Sequence, residues 1–450
     1  MKTINSTFAP RKAVRRRSLA AIAGAAAFMV VGSGSGLAQT APAPPPQVTV
    51  IHAGTLLTVP GEKPKANQTI IVTGGRITGI EDGFVDREGA KVVDLKTSFV
   101  MPGMIDAHVH LQYGGDDYTK DLVTLEDGVE LLRALTHANY ALDAGFTTIR
   151  DMAGKPALVF PLRDAINKGI VKGPRILASG PAIEPTGGGI IRGFRRDVAD
   201  LLLAHPNLEI YCDGPENCTK VTREVIMGGA DQVKIVASGS ILSPSSAKSQ
   251  QFSNEEINAI VAAAAGMGKK VSSHAHGLPA INASLEAGVN SIEHGSFADQ
   301  TSMDLFKKSG AYLVPTMTSL GVLRKRVENP ATDPTVRANV IAAYDRIQQM
   351  VGLAYRNKVK IAFGTDSNIG MLGKNAGEFR LLKAAGMSEV DMIRSATVVA
   401  AGLLGLENEI GTIAPGKSAD IIAVGSSPLD DITVLENVSF VMARGEVIKK

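Results

Sequence analysis

The 450-residue chain contains no tryptophan and only two cysteines. Two thiols are too few for a cysteine-only metal site. They sit close together in Tyr211-Cys212-Asp213-Gly214-Pro215-Glu216-Asn217-Cys218, where the alternatives are two free thiols or one local disulfide. In an exported chain the disulfide is the expectation, and closing so short a loop is worth only about 2 kcal/mol. A membrane-spanning run is also missing, because the apolar stretch Leu19 to Val31 falls short of the roughly 20 residues a helix needs. No clustered basic face suggests a nucleic-acid partner. The formal charge is +3, but residues 1–38 hold six of the Lys and Arg and no acid, so residues 39–450 carry 41 basic and 44 acidic groups, a net −3.

That N-terminal stretch reads as an address. Lys2, Arg11, Lys12 and Arg15-Arg16-Arg17 precede the apolar segment, and the small residues of Gly36-Leu37-Ala38 follow it. Basic, apolar, then cleavable is the order of a signal peptide, here residues 1–38, and it predicts a periplasmic or secreted protein with no membrane association once the signal is removed. Arg16-Arg17-Ser18-Leu19-Ala20 loosely fits a twin-arginine signal, with the general secretory route as the alternative. Residues 39–46, with Ala41-Pro42-Ala43-Pro44-Pro45-Pro46, form a Pro/Ala-rich extended leader.

Glycine is plentiful, 47 residues, as suits many tight strand-to-helix turns. Residues 47–98 and 407–450 are strand-and-turn sequence, which predicts one small β-sandwich domain built from both chain ends. Between them, residues 99–406 alternate short apolar strands with helical stretches such as Glu126 to Leu142, Asn254 to Met267 and Pro334 to Arg356. Strands are expected at Phe99 to Ala107, Phe146 to Arg150, Arg175 to Ser179, Gln232 to Val236, Lys270 to His274, Ser291 to His294, Ala311 to Thr316 and Lys360 to Thr365. Eight such units predict an α/β fold, a (β/α)8 TIM barrel whose active site lies at the C-terminal strand ends.

On that frame the metal-capable residues converge. His108 and His110 stand i, i+2 at the end of the first strand, so both imidazoles leave on one face. Lys234 lies inside the fourth strand, His274 and His294 end the fifth and sixth, and Asp366 follows the eighth. Neutral imidazoles bind zinc or a similar ion, and a carboxylate can both ligate and carry a proton. A pair of loop histidines and an N-capping Asp are the simpler readings of these residues taken singly. For Lys234, costly to bury unless paired or discharged, the simpler reading is a salt bridge.

Pro102-Gly103-Met104-Ile105-Asp106-Ala107-His108-Val109-His110, Lys234, His274-Ala275-His276-Gly277, Ile292-Glu293-His294-Gly295 and Gly364-Thr365-Asp366 resemble the metal-dependent amidohydrolase superfamily in its binuclear branch. Gly74-Gly75-Arg76-Ile77 and Ile410-Gly411-Thr412-Ile413-Ala414-Pro415-Gly416-Lys417-Ser418-Ala419-Asp420 resemble its flanking β-domain. Within the superfamily the chain is similar to imidazolonepropionase-like and Xaa-Pro or Xaa-Arg dipeptidase-like enzymes, including ochratoxin-hydrolysing amidases. The resemblance implies two divalent metal ions, zinc first among them. His108, His110 and Asp366 would hold one, and His274 and His294 the other. Lys234, carboxylated by carbon dioxide to a carbamate, would lie between them with a bridging hydroxide, and Asp366 would shuttle the proton. It implies cleavage of the amide or peptide bond of a small carboxylate-bearing substrate such as a dipeptide, an N-acyl amino acid or an ochratoxin-like amide, and assembly as a homo-oligomer. The alternatives are a cyclic amidase or lactonase at the same centre, or a metal-loaded binding scaffold without catalysis. His276 is either substrate-facing or a satisfied loop histidine, and Glu293, next to a ligand on a strand, is expected to point away from the site and serve the fold.

One stretch departs from the relatives. After the third strand, Pro185-Thr186-Gly187-Gly188-Gly189 runs into Arg192, Arg195 and Arg196, where relatives place a histidine. Guanidinium groups pair with carboxylates, so these three are expected to hold a substrate carboxylate, unless they are solvated or paired with Asp197. A phosphate cradle at the glycine triplet is disfavoured, because no Lys-Ser/Thr follows it.

Overall fold

The structure, a computed structural model, describes residues 47–114, 121, 124–188, 195, 197, 209–242 and 247–450. The expected signal peptide, the leader, Arg192 and Arg196 lie outside the described residues.

Both chain ends enter one sheet. Strands β1 (Val48–Leu56), β2 (Lys65–Thr73), β3 (Arg76–Asp82) and β4 (Lys91–Pro102) come from the N-terminal side. The later strands in this sheet are β16 (Ile421–Val424), β17 (Phe440–Ala443) and β18 (Glu446–Lys449), and the order is β18-β17-β16-β4-β1-β2-β3. The sandwich expected from the two ends is thus one hydrogen-bonded sheet of seven strands. It curls back on itself, because Ile77 N donates to Lys417 O and Ala419 N donates to Gly75 O, 2.9 Å each, joining β3 to the segment that leads into β16. The curl encloses a separate apolar core of Ile51, Ile70, Val72, Val100, Ile421, Phe440 and Met442.

The expected strand from Phe99 to Ala107 is two strands. Phe99 to Pro102 pair with β16 and belong to the end sheet. Gly103 then breaks the run, where a Cβ would lie 2.2 Å from Thr147 Oγ1, and β5 (Met104–Gly114) starts afresh. An unbroken apolar run looks like one strand, and only the close approach at Gly103 divides it.

The middle of the chain is parallel α/β. One arc holds β5, β6 (Phe146–Asp151) and β7 (Arg175–Ala178), with β15 (Ser367–Ile369) on the far side of β5. The other arc holds β8 (Ala182–Glu184), β9 (Glu209–Tyr211), β10 (Val233–Val236), β11 (Val271–Ala275), β12 (Ser291–His294), β13 (Tyr312–Val314) and β14 (Lys360–Ile361). The chain passes from one arc to the other twice. Between β7 and β8 it crosses Gly180, at φ 64°, and Pro181, which has no N–H to give a ladder. Between β14 and β15 it crosses at Ala362 to Asp366, where Ala107 N bonds Phe363 O at 2.9 Å and Asp366 N bonds His108 O at 2.7 Å.

Helices such as Asp127–Asp143, Asn254–Gly266 and Pro334–Arg356 stand close to their expected bounds. Ser253 and Glu256 form a reciprocal cap at the start of the second of these. The main core includes Phe146, Phe363 and Phe379 in successive ring contact, with centroids 5.4 and 4.5 Å apart. Burial of each such ring is worth roughly 1.5–3 kcal/mol. Phe146 lies in β6 and Phe363 in the crossing segment, so this packing fixes the turn that carries Asp366. Cys212 and Cys218 are joined as a disulfide, S–S 2.08 Å, tying the end of β9 to helix Pro215–Met227. Among the described residues, no helix is long and apolar enough to cross a membrane.

Candidate metal centre

Two groups of three donors face each other at the C-terminal ends of the parallel strands. His108, His110 and Asp366 make one, and His274, His276 and His294 the other, with the ligand atoms of each group within 4.8 Å of one another. Asp366 Oδ1 is 3.0 Å from His110 Nε2 and 3.5 Å from His108 Nε2. Two ligand atoms bound to one tetrahedral ion at ~2.0–2.1 Å are about 3.3 Å apart, so these atoms already stand at shared-ion spacing.

Hydrogen bonding fixes which nitrogens keep a lone pair. Glu293 Oε2 lies 2.7 Å from His108 Nδ1. Burial pushes the Glu293 carboxyl up, but Arg150, followed by the bond and charge of His108, outweighs this and holds it at about 2. As a carboxylate it only accepts, so His108 Nδ1 donates and the lone pair is on Nε2, which is buried with no hydrogen-bond partner. The same logic holds across the site. Thr316 gives its hydroxyl hydrogen to Pro315 O at 2.7 Å, so His294 Nδ1, 2.7 Å from Thr316 Oγ1, donates to it. The lone pair of His294 is then on Nε2, 2.9 Å from His274 Nδ1, while His274 Nε2 is buried and unpartnered. Burial keeps all four of His108, His274, His276 and His294 below the usual imidazole range, at about 4 for His108 and about 3 for His276. Neutral imidazoles with orphaned lone pairs are what a divalent ion requires, so the residues fit the metal.

Lys234 lies in β10, buried, and among the described residues its amine makes no hydrogen bond or ion pair. Burial pulls it down to about 8, against the attraction of Glu293 and Asp366. Its charge in turn lowers His108, His274, His276 and His294, so the amine acts on both groups. Of the simpler readings, a salt bridge to Lys234 is absent among the described residues.

Asp366 sits at φ 55° and His294 at φ 69°, backbone that non-glycine residues seldom adopt and that gathers at functional sites. The turn before Asp366 is clamped by Asp106, whose carboxylate accepts from Thr365 Oγ1 at 2.7 Å, Thr365 N at 3.2 Å and Asn375 Nδ2 at 2.7 Å. Burial raises Asp106 to about 6 despite these bonds. Gly364 lets the turn approach: a Cβ there would lie 2.3 Å from Val314 Cγ1 and 3.1 Å from His108 Cβ. Asp366 itself is pushed up by burial, but the His110 hydrogen bond and the charges of His108 and His110 hold it at about 2.

The structure brings together His108, His110 and Asp366 in one group and His274, His276 and His294 in the other. His276 stacks on His294 at 4.7 Å and bonds Ser296 Oγ through Nδ1 at 2.8 Å. Arg195 is exposed and pairs with Asp197 at 2.8 Å, the alternative to carboxylate binding.

Glu293 corrects an expectation. Strand alternation pointed it away from His294's face, but alternation assumes extended backbone, and the left-handed turn at His294 lets both side chains face inward. Arg150 was not singled out at all. Buried in β6, it donates to Ala107 O, to Ser272 Oγ at 2.9 Å and to Glu293 Oε1 at 2.9 Å. Glu378 was missed as well. It accepts from Met317 N at 2.8 Å and Thr318 N at 2.7 Å and so fixes the turn of Thr316, the residue that orients His294.

Glu293→Gln is expected to weaken metal binding about 10- to 100-fold, the usual effect of removing a group that orients a metal-binding histidine, measured by competition with a chelating dye. The carboxyl stands at about 2 here against 4.5 ordinarily, so its stabilising effect is present above 4.5 and lost as pH falls through 2. In metal-free protein the stability gap between wild type and Glu293→Gln should therefore be widest near neutral pH and narrow toward pH 2. A constant gap in denaturant titrations would mean that the charge of Glu293 does not hold the network.

The amidohydrolase family matches residues 99–448. An ochratoxinase of Aspergillus niger is 30% identical over 432 residues, 90% of this chain and 87% of that protein. An imidazolonepropionase of Sphingopyxis alaskensis is 26% identical, covering 73% of this chain and 79% of its own. Among solved structures, a Xaa-Pro dipeptidase with methionine bound in its active site superposes with a TM-score of 0.82 at 33% identity, over 90% of this chain and all of that one.

Proposed function

The chain belongs to the amidohydrolase family and is a hydrolase of carbon–nitrogen bonds, and on that premise we propose that it is an exported binuclear enzyme cleaving the amide bond of a small substrate with a free carboxylate. The observation that carries the binuclear reading is the pair of donor groups with orphaned imidazole nitrogens on either side of a buried lysine that has no hydrogen bond or ion pair among the described residues. We read the two parallel arcs as one (β/α)8 barrel, supported by the chain crossing between them at both ends and by the backbone bonds of β5 to residues 363 and 366.

In this reading His108, His110 and Asp366 hold one divalent ion and His274 and His294 the other, with zinc suited to the ligand set. A Lys234 amine held at about 8 is in good part uncharged at mildly alkaline pH, and an uncharged amine adds carbon dioxide to give a carbamate with a carboxylate end. The ions, when bound, polarise the amide carbonyl and raise the acidity of water, which suits a carboxylate as weakly basic as Asp366. Asp366 accepts the proton on its carboxylate and returns it to the leaving nitrogen. His276, stacked on His294, faces the same space and contacts the substrate. Glu293 and Thr316 keep His108 and His294 in the tautomers that leave their Nε2 atoms free to bind.

The carboxylate-bearing substrate is supported by the relatives, an ochratoxinase and a Xaa-Pro dipeptidase with bound methionine. Elemental analysis should approach two ions per chain, and purified enzyme should prefer dipeptides and N-acyl amino acids over their amidated forms by at least about tenfold in kcat/KM, the worth of one charge-assisted contact. One ion per chain with an unmodified Lys234 would sink the binuclear reading, and equal rates on capped and free substrates would sink the carboxylate preference. Export by the signal at residues 1–38 predicts a mature N-terminus near Gln39. Intact-mass measurement decides this, and an active periplasmic protein that retains residues 1–38 would overturn it.

A further inference from the structure

Three arginines from distant parts of the chain meet in a cleft of about 290 Å³ between the end sheet and the first parallel arc. Arg76 starts β3 after the Gly74-Gly75 turn, Arg444 sits in the turn between β17 and β18, and Arg175 is the first residue of β7. Asn167, Ser418 and Glu409 complete the polar lining. Since Arg175 begins a parallel strand whose other end faces the metal-binding side, the cleft opens at the opposite strand ends from His108 and His294.

The three guanidinium groups are unevenly satisfied. Arg76 is held by both oxygens of Glu409, 3.0 Å each. Arg175 lies 3.8 Å from Glu409 and 3.6 Å from Asp420, too far for a hydrogen bond to either. Its one side-chain hydrogen bond is from Nη2 to Ser418 Oγ at 3.3 Å, and its buried Nε has no partner. Arg444 donates to Gly173 O at 2.9 Å, and the nearness of Arg175 adds to burial in lowering it. Glu446, the other acid that acts on Arg444, is itself paired with Lys172. Three cations against Glu409 and Asp420 leave one positive charge uncompensated around an open volume.

We propose that this cleft is an oxyanion site, taking inorganic phosphate or the phosphate group of a small ester. The donors are the Arg175 Nη2 and the Arg444 guanidinium, with the Ser418 hydroxyl beside them. Planar guanidinium forks match tetrahedral oxyanions in this way, and the occupant balances the positive charge that Glu409 and Asp420 leave over. Because its donors come from both the end sheet and the parallel arc, a bound anion ties the two together, and its binding raises Tm.

Isothermal titration of the metal-loaded full chain at constant ionic strength, with inorganic phosphate and separately with glycerol 3-phosphate, tests this. One saturable site per chain is expected, with affinity reduced by roughly tenfold or more in Arg175→Gln and in Arg444→Gln, the loss of a charge-assisted bond. Tighter binding of the ester than of phosphate identifies an esterified ligand, and the reverse identifies the free ion; either supports the site. If Arg175→Gln does not fold, Arg444→Gln and Ser418→Ala carry the comparison. No saturable binding of either probe overturns the proposal. So does binding unaffected by the variants and competitive with substrate, which would put the anion at the metal centre instead.

Discussion

Lys234→Ala is expected to lower metal content from about two ions per chain to one or fewer and to cut kcat/KM by at least ~10²-fold, the scale of losing a charge contact made in the transition state. The size of the effect follows from position. Lys234 sits in the interior of β10, its charge acts on histidines of both donor groups, and it is tied to neither by a direct bond. A misfolded variant would give the same loss of activity, but the physics separates the two. Removing an unpaired buried amine relieves a desolvation cost, so the metal-free variant should melt no lower than metal-free wild type. If Lys234 carries the proposed carbamate, short carboxylic acids should restore part of the activity by standing in for its carboxylate. A variant that keeps two ions and normal turnover would remove Lys234 from the centre.

Asp366→Asn is expected to reduce kcat by roughly 10²–10⁴, the usual contribution of a positioned proton carrier, with a smaller loss of metal. The substitution is well posed because asparagine tolerates the left-handed backbone that Asp366 adopts at φ 55°, and it keeps an oxygen toward His110. What is removed is the negative charge and, with it, the ability to accept a proton. Turnover of the fully loaded variant, measured against pH, decides the role: near-normal kcat would move the base elsewhere.

The histidines and Asp366 of the two donor groups were legible in the sequence because each closes or follows a short apolar run. Their supports were not. Arg150 reaches Glu293 across 143 residues and Asp106 reaches Asn375 across 269, and no local pattern joins such pairs. Glu293 was misread for a different reason, since the left-handed turn at His294 breaks the alternation from which a strand's inner face is inferred. The β-rich chain ends were readable as β structure, but their union in one ladder depends on the pairing of β4 with β1 and β16, which composition does not encode.

The seam between β4 and β16 has a consequence for how the chain is made. Residues 103–420 lie between the two strands, and at roughly 5–20 residues per second their synthesis takes on the order of half a minute. Throughout that time Phe99, Val100 and Met101 form an apolar, unpaired strand edge, the kind of template on which unfinished chains associate. The end sheet closes only after almost the whole chain is available, which makes it the slow, long-range step of folding.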